Sequence, residues 1–263
     1  MSDLTELREA LAGEQTQAAW NRVEALLDGM GSLLGTALGY VREHADDWPS
    51  LHRLTRWRRL VSLDPGDPLL DLVVGVDCQR ARLDSDDVDA IVGAAGFRQL
   101  RYFNLTESDT ELVHLWRLLE VAPASLRCLI LNRNPLGDTA ANYIPEHLRL
   151  TDLWMDGCAL SGFGVAAICA NLAITNLTTL HLGDNAVGTE GASALCGCPL
   201  LGGLRILSMQ GADLGPQAAD LLSFAPYLHN LMVLDVRRNP LGPRGLDALR
   251  LGPAFRNTRI LHD

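Results

Sequence analysis

Apolar residues recur along the chain in an eleven-residue pattern, with large side chains at positions 1, 4, 6 and 11. Three copies are clear and span residues 126–136, 177–187 and 231–241. Weaker copies begin at residues 73, 100, 150 and 204, so successive starts lie 27, 26, 24, 27, 27 and 27 residues apart. A near-constant period of this length indicates stacked structural units, each too small to bury a core alone. We number these seven copies as repeats 1–7.

The pattern resembles the leucine-rich repeat family, whose core reads L-x-x-L-x-L-x-x-N/C-x-L. A helical pattern follows most copies, as in residues 189–196, which is similar to the ribonuclease-inhibitor-like subclass, where strands and full α-helices alternate. The resemblance covers roughly residues 70–263 and implies an α/β solenoid shaped like a horseshoe, with a parallel concave sheet and outer helices. Two departures stand out: Thr110 replaces an expected leucine, and Pro145 should interrupt the helix of repeat 3.

The repeat pattern also predicts how the layers hold together. Residues at positions 1, 4, 6 and 11 should point inward from a short strand and its turn. Asn134, Asn185 and Asn239 occupy position 9 of repeats 3, 5 and 7. Because buried amides must find hydrogen-bond partners, we expect these side chains to satisfy backbone groups of neighbouring turns.

The chain divides into two predicted parts: a helical N-terminal cap over residues 1–68 and a solenoid of about seven repeats over 69–263. Helical patterns in the cap cover residues 4–11, 14–27, 33–44 and 51–63. A solenoid end exposes its core, so a capping segment is physically required. Residues 259–263 could begin an eighth strand, whose open edge would permit self-association with a second copy.

The composition of the chain limits the classes of partner that it could bind. Asp and Glu number 32 against 22 basic residues, all of them arginine, which gives a formal net charge of −10. This charge argues against nucleic acid and against anionic membrane surfaces. The absence of a signal-peptide core or membrane-spanning run predicts a cytoplasmic protein. The lack of lysine has two interpretations: GC-rich, bacterial codon bias, or escape from a lysine-directed modification.

Alternate strand residues, at positions 3, 5 and 7, should face the concave surface. There the sequence places a central aromatic and aliphatic patch flanked by carboxylates, the usual anatomy of a protein-binding hot spot. The predicted partner-binding residues are Tyr102, Ile130, Asn132, Asp152, Trp154, Asp156, His181, Asp184 and Arg237. The alternative is that a neighbouring loop covers Trp154 and Ile130, or that both are simply tolerated at the surface.

The sequence gives little support for catalysis or for the binding of a cofactor. His181 and Ser208 share position 5 of consecutive repeats, with Asp152 or Asp156 one strand away, which loosely fits a nucleophilic relay. However, a sheet face has no free N–H groups for an oxyanion hole, and no nucleophile-elbow motif is present. Six cysteines show no zinc-like spacing, so we predict a non-enzymatic chain with no metal and no cofactor.

One charge cluster lies in the cap, where His52, Arg53, Arg56, Arg58 and Arg59 surround Trp57. Arginines at such spacing suit an acidic partner or a phosphate group. The alternative is a solvated helix face whose arginines pair with nearby carboxylates; these are Asp46, Asp47, Asp64 and Asp67.

These features predict a protein–protein interaction module that binds a protein partner through its concave face. Two alternatives remain: a regulator of a small GTPase or another enzyme, which the family resemblance implies, and a bacterial effector translocated into a host cell, which would suit the lack of lysine. A GTPase regulator needs catalytic or positioning residues in its loops, for which only Arg133 and Arg237 offer themselves.

Overall fold

A computed structural model describes residues 2–45, 47–49 and 53–263 of the chain. Its described strands form one parallel sheet in which each strand pairs with the next along the chain. The strands are β1 (Leu54–Arg56), β2 (Gly75–Asp77), β3 (Tyr102–Asn104), β4 (Cys128–Ile130), β5 (Asp152–Trp154), β6 (Thr179–His181), β7 (Ile206–Ser208), β8 (Val233–Asp235) and β9 (Arg259–Leu261). With helices on the opposite side, this architecture is a leucine-rich repeat solenoid, as predicted.

The register of the sheet follows the repeat without a slip. The residue at position 5 of each strand pairs with position 5 of the next, so Ile130 lies opposite Trp154, and Trp154 opposite His181. The middle residues of β2–β8 point into the core and are at most 1% exposed. Those residues are Val76, Phe103, Leu129, Leu153, Leu180, Leu207 and Leu234. The predicted inward face is therefore confirmed.

The helices occupy two places. In the cap are α1 (Ser2–Ala12), α2 (Gln17–Asp28) and α3 (Leu34–Ala45). The helices between strands are α4 (Trp57–Ser62), α5 (Ser85–Gly93), α6 (Leu112–Glu120), α7 (Gly162–Ala170), α8 (Gly188–Cys196), α9 (Pro216–Ser223) and α10 (Gly242–Leu251). Between β4 and β5 the chain forms only a 3-10 helix, Asp138–Tyr143, which ends just before Pro145, the predicted interruption.

The prediction of a fourth cap helix over residues 51–63 is wrong for the middle of that segment. Residues Leu54–Arg56 form β1 and pair with β2, and α4 begins only at Trp57; residues 51 and 52 lie outside the described part. Pairing wins here because the edge of β2 would otherwise leave its backbone groups unpaired. On the outer edge of β1, the Gln17 side chain donates to the Leu54 carbonyl at 2.6 Å and accepts from its N–H at 3.1 Å.

Asparagine side chains join successive repeats in the predicted way. Asn185 Oδ1 accepts hydrogen bonds from the backbone N–H groups of Cys158 (2.9 Å) and Leu160 (3.0 Å) in the preceding repeat. Its Nδ2 donates to the carbonyls of Met155 (2.7 Å) and Leu182 (3.1 Å). The amide therefore satisfies buried groups of two layers at once.

The same arrangement recurs every second repeat. Asn134 accepts from the backbone of Ser108 and Thr110, and Asn239 accepts from that of Ala212 and Leu214. Each asparagine thus serves the repeat before it. This explains why repeats 4 and 6, with a cysteine and an alanine at position 9, need no amide of their own.

The C-terminal strand β9 confirms the expected eighth strand, since the Val236 N–H donates to the Leu261 carbonyl at 2.8 Å. Self-association through its outer edge stays a prediction.

Candidate functional site

The predicted partner-binding residues lie on the strands and turns of the concave side, but with different exposure. Tyr102, Asn132, Asp152, Trp154, Asp156 and His181 are half-buried, whereas Asp184 and Arg237 are exposed. The expectation of exposure is wrong for Ile130, which is 8% exposed because it lies between Asn104 and Trp154 on adjacent strands.

The centre of the concave face is an aromatic stack. The rings of Trp154 and His181 lie 4.2 Å apart with an interplanar angle of 13°. His181 Nδ1 is 3.7 Å from Asp156 Oδ2. Burial lowers the pKa of the His181 imidazole, although the neighbouring Asp156 carboxylate acts in the opposite direction. The stack therefore presents a neutral aromatic surface beside an acidic group near pH 7.

Asp156 is hydrogen-bonded to the repeats on both sides. Its Oδ1 accepts from the Gly183 N–H at 2.6 Å, and its own N–H donates to Asn132 Oδ1 at 2.9 Å. A Cβ on Gly183 would come within 2.9 Å of that Oδ1, so only glycine leaves room for the carboxylate. Burial raises the pKa of Asp156, opposed by the nearby imidazole of His181. The sequence placed Asp156 on this face but gave no sign of the role of Gly183.

A row of turn residues at position 8 borders the concave face. In repeats 1–7 this position has φ between +51° and +65°, the left-handed region. The residues are Arg80, Glu107, Arg133, Gly157, Asp184, Gly211 and Arg238. Outside glycine this backbone conformation is uncommon. The seven-fold recurrence identifies it as the repeat's own turn geometry, which aims the position-8 side chain along the rim in the five repeats that do not have glycine there.

The rim carries two ion-pair arrangements that the sequence analysis missed. Glu107 bridges Arg80 and Arg133 across adjacent repeats, at 2.5 Å to each guanidinium, and these two arginines lower the pKa of its carboxyl. Farther along, Arg238 Nη2 reaches Asp184 Oδ1 at 2.8 Å, two repeats away. Charged residues recur at position 8 of the repeats. This recurrence could have indicated both arrangements, but it shows only when the repeats are aligned on their turns.

A cavity of about 500 Å³ opens between the stack and the rim. Its lining residues are Thr106, Asn132, Arg133, Asp156, His181, Gly183, Asp184, Ser208, Gln210, Asp235, Arg237 and Arg238. Arg237 forms an ion pair with Asp235, whose pKa is lowered by the hydrogen bonds from Arg237 that outweigh its burial. The cavity is thus lined by both signs of charge, which suits a polar peptide segment rather than an apolar ligand.

The described residues do not assemble a hydrolytic relay. His181 Nδ1 faces Asp156, and within the described part no hydrogen bond joins its imidazole to Ser208. Nor does any group of three or more His, Cys, Asp or Glu side chains there lie close enough to hold a metal ion. Over the same residues, no helix combines the length and apolarity needed to cross a bilayer.

Comparisons with known proteins agree with the fold. A family model described as Leucine Rich repeat matches residues 173–196 and 227–249. No curated protein matches the chain. Together with the repeat geometry, the family match supports a leucine-rich repeat protein.

Among solved structures, a chain of the yeast Rad7–Elc1 complex superposes with a TM-score of 0.56 at 14% identity, over 78% of this chain and 58% of that chain. A chain of the TLR13–ssRNA13 complex gives 0.43 at 18% identity, over 78% of this chain and 31% of its own. An internalin (inlF) from Listeria monocytogenes gives 0.35 at 17% identity, over 74% and 62%. This chain therefore spans less than two thirds of each neighbour, and the first likeness concerns the fold alone.

Proposed function

We propose that this chain is a protein-interaction module that binds a protein partner through the centre of its concave face. The observation that carries the proposal is the half-buried stack of Trp154 on His181, beside the Asp156 carboxylate. Tryptophan is enriched among residues that dominate binding energy, especially where polar groups surround it. The adjoining cavity gives a partner segment room to reach these side chains.

A second property of Trp154 supports the same role. Its Nε1 is buried and has no hydrogen-bond partner among the described residues. A buried donor that lacks an acceptor costs about 1–3 kcal/mol. An acceptor brought by a partner, after a small movement of the stack, would remove this cost.

The Rad7–Elc1 neighbour is a protein complex, which agrees with a protein partner for this chain. We further propose the ribonuclease-inhibitor-like subclass, supported by α-helices of eight to ten residues after β2, β3, β5, β6, β7 and β8. Bacterial origin, a cytoplasmic location and the absence of nucleic-acid or membrane partners stay predictions from the sequence. Among the alternatives, a GTPase regulator gains no support, because Arg133 and Arg237 are both engaged in ion pairs.

The test compares two tryptophan variants. Trp154→Ala removes the stack, while the control Trp116→Ala removes an exposed ring from the convex helix α6. Proteins captured from the source cell by each variant are quantified by mass spectrometry, and circular dichroism verifies folding. We expect Trp154→Ala to lose the partners at least tenfold and Trp116→Ala to retain them, since loss of a hot-spot aromatic costs about 2 kcal/mol or more. Equal capture by the wild type and Trp154→Ala would contradict the concave-face assignment.

A further inference from the structure

The arginines of the cap cluster separate into two groups in the structure. Arg59 binds Asp28 through Nη2 and Oδ1 at 2.8 Å, and Arg53 lies over the Trp20 ring at 5.2 Å. These two hold the cap together. Arg56 and Arg58 are exposed, because they lie at the end of β1 and just beyond it.

The turn from β1 into α4 explains this separation. Thr55 of β1 and Trp57, the first residue of α4, are buried, whereas Arg56 and Arg58 are exposed. Arg56 pairs in register with Asp77 of β2, at position 5 of repeat 1, and Arg58 lines the same cavity. A continuous helix over these residues would have placed the two arginines about 200° apart, on different faces.

Together with Arg80, these side chains line a cavity of about 310 Å³ at the β1 end of the concave face. The other lining residues are Trp57, Asp77, Gln79 and Ala81. We call this site the arginine pocket. It lies about four strand spacings, roughly 19 Å, from the β5 strand that carries Trp154.

Positive charge exceeds negative charge in the arginine pocket. Arg56 Nε is 3.6 Å from Asp77 Oδ2, longer than a hydrogen bond. Arg58 lies over the Trp57 ring at 4.5 Å and has no carboxylate partner among the described residues. Arg80 shares the single carboxylate of Glu107 with Arg133. The lining of the pocket thus carries three guanidinium groups and one carboxylate, which leaves an excess of two positive charges in a chain whose net charge is −10.

We propose that the arginine pocket binds a phosphoryl group carried by a side chain of a protein partner. A phosphorylated serine or threonine carries about −1.5 to −2 charges at pH 7, which matches the local excess. Guanidinium groups fit phosphate oxygens in a bidentate manner, and the Trp57 ring fixes the orientation of Arg58. The acidic centre of the same face disfavours the extended phosphate backbone of a nucleic acid or a lipid surface.

This inference rests on the proposed role of the concave face in protein binding, but uses different side chains. The test titrates a blocked glycine–phosphoserine–glycine tripeptide into the full chain and follows the Nε–Hε signals of the arginines by NMR. We expect the signals of Arg56, Arg58 and Arg80 to shift, and the tripeptide with plain serine to leave them unmoved. Inorganic phosphate should compete with the phosphotripeptide for the same signals.

Three variants sharpen the result. Arg58→Gln and Arg56→Gln should each weaken phosphotripeptide binding roughly tenfold, the usual effect of losing a charge-assisted pair. Glu107→Gln removes the carboxylate that occupies Arg80 and should strengthen binding severalfold. The control Arg244→Gln removes an exposed arginine from the convex helix α10, where it pairs with Asp220, and should leave binding unchanged.

Two results would overturn the proposal: no shift with the phosphotripeptide, or undiminished binding by the Arg56→Gln, Arg58→Gln double variant. Circular dichroism of the variants separates lost binding from lost folding. Because the titration makes no use of the Trp154 stack, its failure leaves the partner-capture experiment intact. A failure of partner capture likewise leaves the phosphotripeptide result standing.

Discussion

The repeats before and after β4 differ in how they satisfy their polar groups. After β4, asparagine and aspartate side chains bind backbone groups of neighbouring repeats, as Asn185, Asp156 and Asn239 do. Before β4, Asn134 still serves the turn of repeat 2, but repeat 1 has no such asparagine because Ser108 occupies position 9 of the next repeat, and arginines outnumber carboxylates in the arginine pocket. Both residue ranges that match the family model lie after β4.

This difference indicates which region is stabilised by internal hydrogen bonds and which region has charged side chains available to bind a ligand. A region whose polar groups pair internally has little left for a partner except its aromatic surface. A region that departs from the repeat keeps guanidinium groups without full pairing, and departures of this kind mark functional sites. We therefore expect structural variants to act most strongly after β4, and variants that alter phosphoryl binding to act before it.

The largest expected effect is the loss of stability when Asn185, the asparagine of repeat 5, is replaced. Asn185→Ala leaves two N–H groups and two carbonyls of buried turns without partners, so the free energy of unfolding should fall by about 3–5 kcal/mol. Urea denaturation measures this. The control Asn142→Ala, an exposed amide in the 3-10 helix of repeat 3, should change stability by less than about 0.5 kcal/mol. Equal losses in the two variants would contradict the stabilising role of the Asn185 amide.

A smaller effect is expected at the rim. Gly211 has φ +63°, and a Cβ there would lie 2.8 Å from Asp184 Oδ1, in the path of the ion pair with Arg238. Gly211→Ala should therefore lower the free energy of unfolding by about 1–2 kcal/mol through backbone strain and loss of the pair. Thermal denaturation measures the change. Gly202→Ala, where the added methyl meets nothing within 4 Å, is the matched control.

The smallest effect concerns pH and the Trp154–His181 stack. Folding lowers the pKa of His181, chiefly by burial, so below its unfolded value of about 6.5 the unfolded chain binds more protons than the folded one. The contribution of His181 to stability therefore falls as the pH drops from 7 towards 5. Burial raises the pKa of Asp156, which gives the opposite slope at lower pH, above about 3.9.

Urea midpoints measured at several pH values test this prediction. His181→Gln should remove part of the stability loss between pH 7 and 5, while His229→Gln, at an exposed turn, should retain it. An unchanged pH dependence in His181→Gln would show that burial of the stack does not control its protonation.

Much of the fold could be predicted because every repeat must meet the same physical requirement. Positions 4 and 6 must fill the core, so the register of β2–β8 and the inward row from Val76 to Leu234 follow directly from the spacing. The role of the asparagines at position 9 could also be predicted, since a buried amide must find hydrogen-bond partners. Strand β1 could not be predicted, because residues 54–56 lack the leucine pattern and locally resemble a helix. Only pairing with β2 makes them a strand.

The candidate site could be predicted less completely. The pattern placed Trp154, His181 and Asp156 on one face, but not the parallel ring stack or the burial of Ile130, which depend on the bulk of neighbouring strands. The ion pair across Gly211 joins residues 54 positions apart, and no local pattern signals it.

What the sequence alone determined is the period, the inward row and the asparagine turns, because these recur at fixed spacing and obey hydrophobic burial and hydrogen-bond satisfaction within one or two repeats. What only the tertiary structure decided is which charges remain unpaired: Arg56 and Arg58 join the concave face solely because β1 adds to the sheet edge. Charge pairing depends on side chains that meet across repeats, and such meetings arise only once the layers are stacked.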